Sequence, residues 1–176
     1  RKVGLETGNP YDFAGYDDLY AAFMKQVHYF VDMKVRVSNY IDRMFAKYAP
    51  ATFLSLFIDD CIAKGRDYYN CGPRYNTTYI QCTGLGTITD SLSSLKKHVF
   101  EDKRFSMDEM LKAMADNFAG AEVMRQTILN RTPFFGNDDE YADAIAVKVF
   151  DDLYDAIEGK PNTKGECFHL NMLSTT

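Results

Sequence analysis

The most regular hydrophobic spacing in the chain runs from about Asp17 to Tyr48. Apolar side chains recur there every three or four residues, so that they would form one stripe along a helix. The stripe consists of Tyr20, Phe23, Met24, Val27, Phe30, Val31, Ile41, Met44, Phe45 and Tyr48. Asp17 and Asp18 suit the positive end of a helix, and Lys47 suits its negative end. The pattern therefore predicts one long amphipathic helix.

A second apolar segment follows at residues 51–64. Its apolar side chains would cover most of the circumference of a helix, and they are Phe53, Leu54, Leu56, Phe57, Ile58 and Ile62. A helix that is apolar nearly all round is typically buried. The sequence therefore predicts a buried helix here, followed by Gly65 as a left-handed cap.

Further helices are indicated by spacing and by capping signals. Ser106 and Glu109 form the S-x-x-E pattern of a capping box, in which each side chain bonds the backbone N–H of the other residue. The remaining predicted helices cover residues 88–100, 106–118, 121–130 and 139–159. The chain is therefore expected to be rich in helix.

The stretch CGPRYNTTYIQCTGLGTITD, residues 71–90, contains a β-prone run at 78–83 and then two glycines. Glycine lets the backbone turn sharply because it has no Cβ. We expect the chain to turn at Gly84 and Gly86 into a helix that begins near Thr87, with Thr87 or Thr89 as its N-cap. A strand, a glycine turn and a helix in this order are typical of an α/β barrel.

Residues 167–173, CFHLNML, form a second β-prone run. Two strands alone do not make a self-sufficient sheet. We therefore expect residues 78–83 and 167–173 to belong to one barrel wall, and the chain to be a fragment of a larger protein.

Other readings of the glycine-rich stretch fit the residues less well. A dinucleotide loop needs G-x-G-x-x-G, but Thr89 stands at the third glycine position. No Gly-Lys-Ser/Thr sequence follows that would form a phosphate-binding loop. Cys71 and Cys82 are too far apart for the short ligand spacing of a zinc site.

Composition and charge exclude several classes of protein. The net charge of −5 and the absence of a basic stripe argue against a nucleic-acid partner. No apolar run approaches the roughly 18–20 residues of a membrane span, so no membrane partner is expected. No hydrophobic signal segment opens the sequence. We interpret the protein as cytoplasmic, with the thiols of Cys61, Cys71, Cys82 and Cys167 reduced.

Four motifs together resemble the glycyl radical enzymes, in the pyruvate formate-lyase-like lyase and dehydratase branch. They are RYNTTYIQCTGLGTITDSLSSLKKHVF, NRTPFFGNDDEYAD, GKPNTKG and HLNMLSTT, and the likeness covers essentially the whole chain. The resemblance implies an α/β fold in which residues 1–176 are an internal, helix-rich part of a ten-stranded barrel domain.

The resemblance also implies a reaction type. In such enzymes a glycyl radical takes a hydrogen atom from a cysteine, and the resulting thiyl radical attacks a C–H bond of a small polar substrate while a glutamate acts as base. An S-adenosylmethionine-dependent iron–sulfur activating enzyme installs the radical, and no other cofactor is expected to be bound. The full-length protein is expected to be a homodimer in the cytoplasm or in a bacterial microcompartment.

Neither catalytic loop of these enzymes is present in residues 1–176. None of the four cysteines lies in the G-C-V-E pattern of the cysteine loop. The pattern R-V-x-G-Y of the radical loop is approached at residues 36–40, but Asn39 replaces the glycine. We therefore expect no catalytic residue in this chain, which would lie between the two loops.

The candidate substrate-binding residues are polar positions on the two strands: His169 and Asn171 on one, Gln81 and Thr83 on the other. Alternate residues of a strand share a face, so these side chains could line a cavity. The alternative for His169 is that it only satisfies a buried backbone or water partner. No metal site is expected, because the acids at 138 and 139 suit a helix N-terminus.

The resemblance inclines toward choline trimethylamine-lyase, which cleaves choline to trimethylamine and acetaldehyde. Isethionate sulfite-lyase and the glycerol, propanediol and hydroxyproline dehydratases are the alternatives. A sulfonate would favour a fixed arginine, whereas the candidate strand offers His169. A trimethylammonium group favours aromatic faces, and 14% of the residues are aromatic. A non-catalytic helical binding domain is a more distant hypothesis.

Overall fold

The computed structural model describes residues 3–173, which fold into seven α-helices and two β-strands within that range. The helices are α1 (Tyr16–Tyr48), α2 (Thr52–Ser55), α3 (Asp59–Lys64), α4 (Leu85–Leu95), α5 (Met107–Ala115), α6 (Glu122–Arg131) and α7 (Glu140–Ile157). The strands are β1 (Thr78–Cys82) and β2 (Phe168–Met172). A short 3₁₀ turn at Pro10–Asp12 precedes α1, and a π-helical segment, Lys96–Glu101, continues α4. The helix-rich α/β class is as predicted.

The described residues form two compact units. The first unit contains residues 3–26, Thr83–Asp152 and Leu173, and the second contains Val27–Cys82 and Leu153–Met172. Helices α1 and α7 each contribute residues to both units. No helix among residues 3–173 is long and apolar enough to cross a membrane.

The second unit is built around a two-stranded parallel sheet. Strands β1 and β2 pair in a register that sets Thr78 beside Phe168 and Cys82 beside Met172. The apolar face of the sheet packs on the helices through a buried cluster. That cluster comprises Val31 of α1, Ile80 of β1, Ile157 of α7 and Phe168 of β2, with Val27, Val35, Cys82 and Leu170 around it. The prediction that the two runs belong to one sheet is confirmed.

The loop before β2 is tied to the segment before β1. The Asn162 side-chain amide donates to the Asn76 carbonyl at 2.6 Å and to the Thr78 hydroxyl at 3.1 Å. In return, the Glu166 carboxylate accepts from the Asn76 backbone N–H at 2.8 Å. These bonds pair otherwise unsatisfied backbone groups and set the level at which β2 starts beside β1.

The link from β1 to α4 turns at Gly84, as predicted, but the details differ. Gly84 has φ +83° and is itself the N-cap, so α4 begins at Leu85. The prediction that Thr87 or Thr89 caps the helix is wrong, because both lie inside it and Thr89 is fully buried. The predicted turn at Gly86 is wrong, because Gly86 lies inside α4 without a positive φ. A Cβ there would lie 3.2 Å from the Phe135 ring, so close packing is the reason for a glycine at this position.

The prediction of one buried helix at residues 51–64 is wrong. The segment is broken into α2 and α3, and Phe53 and Phe57 are 76% and 70% exposed. The bend at Ile58, which has extended backbone angles, separates the two helices. Gly65 has φ +59° and caps α3, as predicted.

The other predicted helices are confirmed, and most of their ends agree with the structure to within one to three residues. Helix α5 begins with the expected capping box, in which Ser106 Oγ accepts from the Glu109 N–H at 3.2 Å and the Glu109 carboxylate accepts from the Ser106 N–H at 2.8 Å. At the start of α7, Asp139 accepts from the Tyr141 N–H at 2.9 Å, which is the helix N-terminal role expected of it.

A polar cluster lies in the core of the first unit. His98, in the π-helical segment, is fully buried, and its Nε2 lies 3.0 Å from Thr132 Oγ1. Ser93 is also fully buried and donates to the Pro133 carbonyl at 2.6 Å. Burial lowers the pKa of His98, since a charged ring would lose its hydration. His98 is therefore a packing residue that is neutral in the fold.

Replacing Gly84 by valine should destabilise the chain, because a β-branched residue is strained at φ +83°. We expect a loss of about 1–3 kcal/mol in the free energy of unfolding, measured by urea denaturation. Gly84→Asn is the matched control, since asparagine tolerates the left-handed region, and it should lose much less. Equal losses for both variants would contradict the backbone argument. The corresponding change at Gly86 carries no such strain.

The buried His98 should make stability depend on pH. Its pKa is lowered in the fold, so the unfolded state binds the proton more readily; the stabilisation is complete above about pH 6.5 and is lost as the pH falls below it. The His98→Gln variant cannot take up this proton. The free energy of unfolding of the variant should therefore decline less than that of the parent between pH 7 and pH 5. The two slopes should differ by at most about 1.4 kcal/mol per pH unit. Identical slopes for the variant and the parent would contradict the assignment.

Candidate functional site

The two faces of the sheet differ in chemistry. Ile80 and Phe168 point into the apolar cluster, whereas the alternate side chains point away from it. We call these alternate residues, Tyr79 and Gln81 of β1 with His169 and Asn171 of β2, the polar face. Tyr79 is 57% exposed, so in residues 3–173 this face is open.

The register brings three of the four predicted site residues together. Gln81 stands directly beside Asn171, and Tyr79 stands beside His169. The rings of Tyr79 and His169 have centroids 5.6 Å apart. Thr83 lies one residue beyond the end of β1 and is exposed, so the strand pairing does not include it. The polar face therefore combines one imidazole, two carboxamides and one phenol.

His169 has a side-chain partner on each ring nitrogen. Its Nδ1 is hydrogen-bonded to the Glu158 carboxylate, and its Nε2 lies 3.4 Å from Cys167 Sγ. Glu158 also accepts from the Leu170 backbone N–H through its other oxygen, at 3.3 Å. The partner of His169 is thus a carboxylate, and the ring is partly exposed rather than buried. His169 therefore has side-chain partners on both ring nitrogens, and not the buried backbone or water partner of the alternative prediction.

The carboxylate fixes the chemistry of the imidazole. Because Glu158 can only accept when ionised, Nδ1 carries the proton of a neutral ring, and Nε2 is left as an acceptor facing the Cys167 thiol. The arrangement is a thiol, an imidazole and an orienting carboxylate in hydrogen-bond sequence. It can hold and move one proton between Cys167 and His169.

Sequence reasoning did not find Glu158 and Cys167. Glu158 directly follows α7. The sequence marks it only by its position before Gly159, which has φ +76° in the structure. Cys167 has the same strand alternation as His169 and Asn171, and this alternation is the signal for it in the sequence. All four cysteines are free thiols. The part of the chain that the structure describes contains no group of three or more His, Cys, Asp or Glu residues able to hold a metal ion.

The fold matches solved structures of radical enzymes along nearly the whole chain. A crystal structure of hydroxyproline dehydratase from Clostridioides difficile aligns over 98% of this chain with a TM-score of 0.92 and 45% identity. A B12-independent glycerol dehydratase from Clostridium butyricum aligns over 97% with a TM-score of 0.89 and 30% identity. Each alignment covers 22% of the solved chain. The fold is therefore that of a segment of a glycyl radical enzyme.

Comparison of sequences assigns the family. The model of the pyruvate formate lyase-like family matches residues 1–176, and the chain belongs to this family. The trans-4-hydroxy-L-proline dehydratase of Clostridioides difficile is 45% identical over 176 residues, which is 100% of this chain and 22% of the relative. The chain thus spans about a fifth of the length of the curated relatives that it matches.

Proposed function

We propose that the natural protein containing this chain is a glycyl radical dehydratase that removes water from trans-4-hydroxy-L-proline. The observation that carries the proposal is the 45% identity to trans-4-hydroxy-L-proline dehydratase over all 176 residues. The identity to a (2S)-3-sulfopropanediol dehydratase from Klebsiella oxytoca is lower, 32% over 174 residues. Hydroxyproline dehydration is among the alternatives that the sequence left open.

The preference for choline is not supported by these relatives. They are dehydratases and isethionate sulfite-lyases, with a decarboxylase at lower identity. The preference for choline came from the resemblance of the motifs CGPRYNTTYIQC and FHLNMLSTT, and aromatic side chains, which are favourable for a trimethylammonium group, were only an added point. On the polar face the Tyr79 ring lies next to His169, with the two ring planes tilted by 37°, and this pair does not form an aromatic cage. Cleavage of a C–O bond is therefore better supported than cleavage of a C–N bond.

The polar face is the part of this chain that we assign to substrate binding. Gln81 and Asn171 are paired across β1 and β2. Their carboxamides offer hydrogen-bond donors and acceptors that match the hydroxyl group and the carboxylate of the proposed substrate. His169, held by Glu158, presents a fixed ring to the same face. Thr83, exposed just after β1, stays a prediction of the sequence. Gln81, Asn171 and His169 would form one part of a cavity wall, with the rest supplied by other parts of the natural protein.

The radical chemistry would come from outside residues 1–176. The chain has no G-C-V-E sequence and no R-V-x-G-Y sequence, so it supplies neither a thiyl cysteine nor a radical glycine. We propose that an S-adenosylmethionine-dependent activating enzyme installs the radical in the natural protein, and that this protein is a homodimer. Its cytoplasmic location stays a prediction.

The proposal predicts consumption of trans-4-hydroxy-L-proline by the natural protein after anaerobic activation. The product should be lighter by one water, as measured by mass spectrometry. Choline, isethionate, glycerol and propane-1,2-diol serve as competing substrates and should react at least about tenfold more slowly in kcat/KM, which corresponds to about 1.4 kcal/mol. Faster release of trimethylamine from choline, or of sulfite from isethionate, would contradict the proposal.

Two controls separate the parts of this proposal. The 176-residue chain alone, mixed with the activating enzyme, should be inert, because it lacks both radical loops. In the natural protein, Asn171→Leu should raise KM for the substrate, since it removes a donor and an acceptor from the polar face. Unchanged KM and kcat in this variant would remove Asn171 from the proposed site without affecting the family.

A further inference from the structure

The thiol, imidazole and carboxylate of Cys167, His169 and Glu158 form a connected group, and the proposed substrate site does not use its thiol. Strand alternation places Cys167 and His169 on the same side of the chain, and Cys167 Sγ lies 3.4 Å from His169 Nε2. The His169 Nδ1 is hydrogen-bonded to Glu158. A nucleophile, a base and a group that orients the base are thus arranged in sequence, which is the arrangement that activates cysteine nucleophiles.

The backbone holds this group in place. Glu158 directly follows α7, and Gly159, with φ +76°, turns the chain back toward β2. The Gly159 N–H donates to the Phe168 carbonyl at 3.1 Å, and the Phe168 N–H donates to the Lys160 carbonyl at 2.7 Å. These two bonds fix the end of α7 beside the start of β2. The carboxylate therefore meets His169 without depending on a flexible loop.

The other three cysteines lie in different surroundings. Cys61 is buried at 3% exposure, and Cys82 is packed against the apolar cluster, where burial raises the pKa of its thiol. Cys71 has a left-handed φ of +60° in a turn. Among residues 3–173, the thiol that has an imidazole as hydrogen-bond partner is that of Cys167, which is also partly exposed.

We propose that Cys167 is a modification site: a thiol that His169 activates and Glu158 supports, and that reacts with carbon electrophiles and peroxides. In alkylation the sulfur forms a bond to the carbon of the reagent, the carbon–halogen bond breaks, and the thiol proton goes to His169 Nε2. With hydrogen peroxide the sulfur attacks one oxygen and the O–O bond breaks. The sulfur is oxidised to a sulfenic acid, and the second oxygen leaves as water after taking the proton. The proposal does not depend on the substrate of the enzyme.

The test is competitive labelling of the reduced natural protein with a limiting amount of iodoacetamide under anaerobic conditions. Peptide mass spectrometry then gives the rate for each cysteine. Cys167 should react at least about tenfold faster than Cys71 and Cys82, since a positioned base contributes a rate factor of this order or more. After brief exposure to hydrogen peroxide, dimedone should label Cys167 before the other cysteines.

Variants distinguish activation from simple exposure. His169→Gln should lower the Cys167 rate to that of an ordinary exposed thiol, and Glu158→Gln should lower it partly, because the amide still orients the ring but does not neutralise an imidazolium. His28→Gln, at an exposed histidine of α1 that has no part in the polar face, is the matched control and should leave the Cys167 rate unchanged. The rates of Cys71 and Cys82 report in each sample whether the fold is intact.

Several results would overturn the proposal. In the parent protein, a Cys167 rate equal to or below that of Cys71 and Cys82 would do so, whatever the variants show. A fast Cys167 whose rate is unchanged in His169→Gln, with the other thiols also unchanged, would show that exposure alone causes its reactivity. Sulfenic acid on another cysteine and not on Cys167 would contradict the oxidation step.

Discussion

The pairing of two strands that are ninety residues apart in the sequence is the constraint on which the second unit depends. Thr78 lies beside Phe168, and the five-residue register that follows joins β1 to β2. A parallel pair this short has no stability of its own, so its apolar face must be buried by other elements. Phe168 and Ile157 are fully buried there, and each contributes about 1.5–3 kcal/mol by leaving water. Helices α1 and α7 supply that cover.

Burial of one face determines what the other face can be. Since the side chains of a strand alternate, the positions between the buried ones are free to be polar, and here they are a phenol, two carboxamides and an imidazole. The end of α7 also lies against the start of β2, because the backbones of Gly159 and Lys160 are hydrogen-bonded to that of Phe168. Glu158 reaches His169 for this reason. The candidate site is thus a consequence of how the sheet is packed.

Much of this could be predicted from the sequence where the signal is local. The period of α1, the capping box of α5 and the left-handed turn at Gly84 depend on residues a few positions apart, and all three are confirmed. The alternation on each strand predicted that His169 shares a face with Asn171, and Gln81 with Thr83; the register then sets Gln81 beside Asn171, while Thr83 lies beyond β1. The family followed from motifs spread over the whole chain.

The failures concern contacts between distant residues. The apolar segment at 51–64 predicted one buried helix, but helical spacing does not reveal a break at Ile58 or what surrounds the side chains. Glu158 is eleven residues from His169 and carries no local sign of that contact. The choline preference came from the resemblance of two motifs, with aromatic content as an added point, and neither says which side chains lie around a substrate.

Strands β1 and β2 should open as one cooperative element that the burial of Phe168 stabilises. Amide hydrogen exchange, compared between the parent protein and Phe168→Ala, measures this cooperativity residue by residue. The exchange protection of Ile80 in β1 and Leu170 in β2 should fall together in the variant, by a free energy of about 3–5 kcal/mol. Protection that is lost in β2 while β1 remains as slow to exchange as in the parent would contradict it.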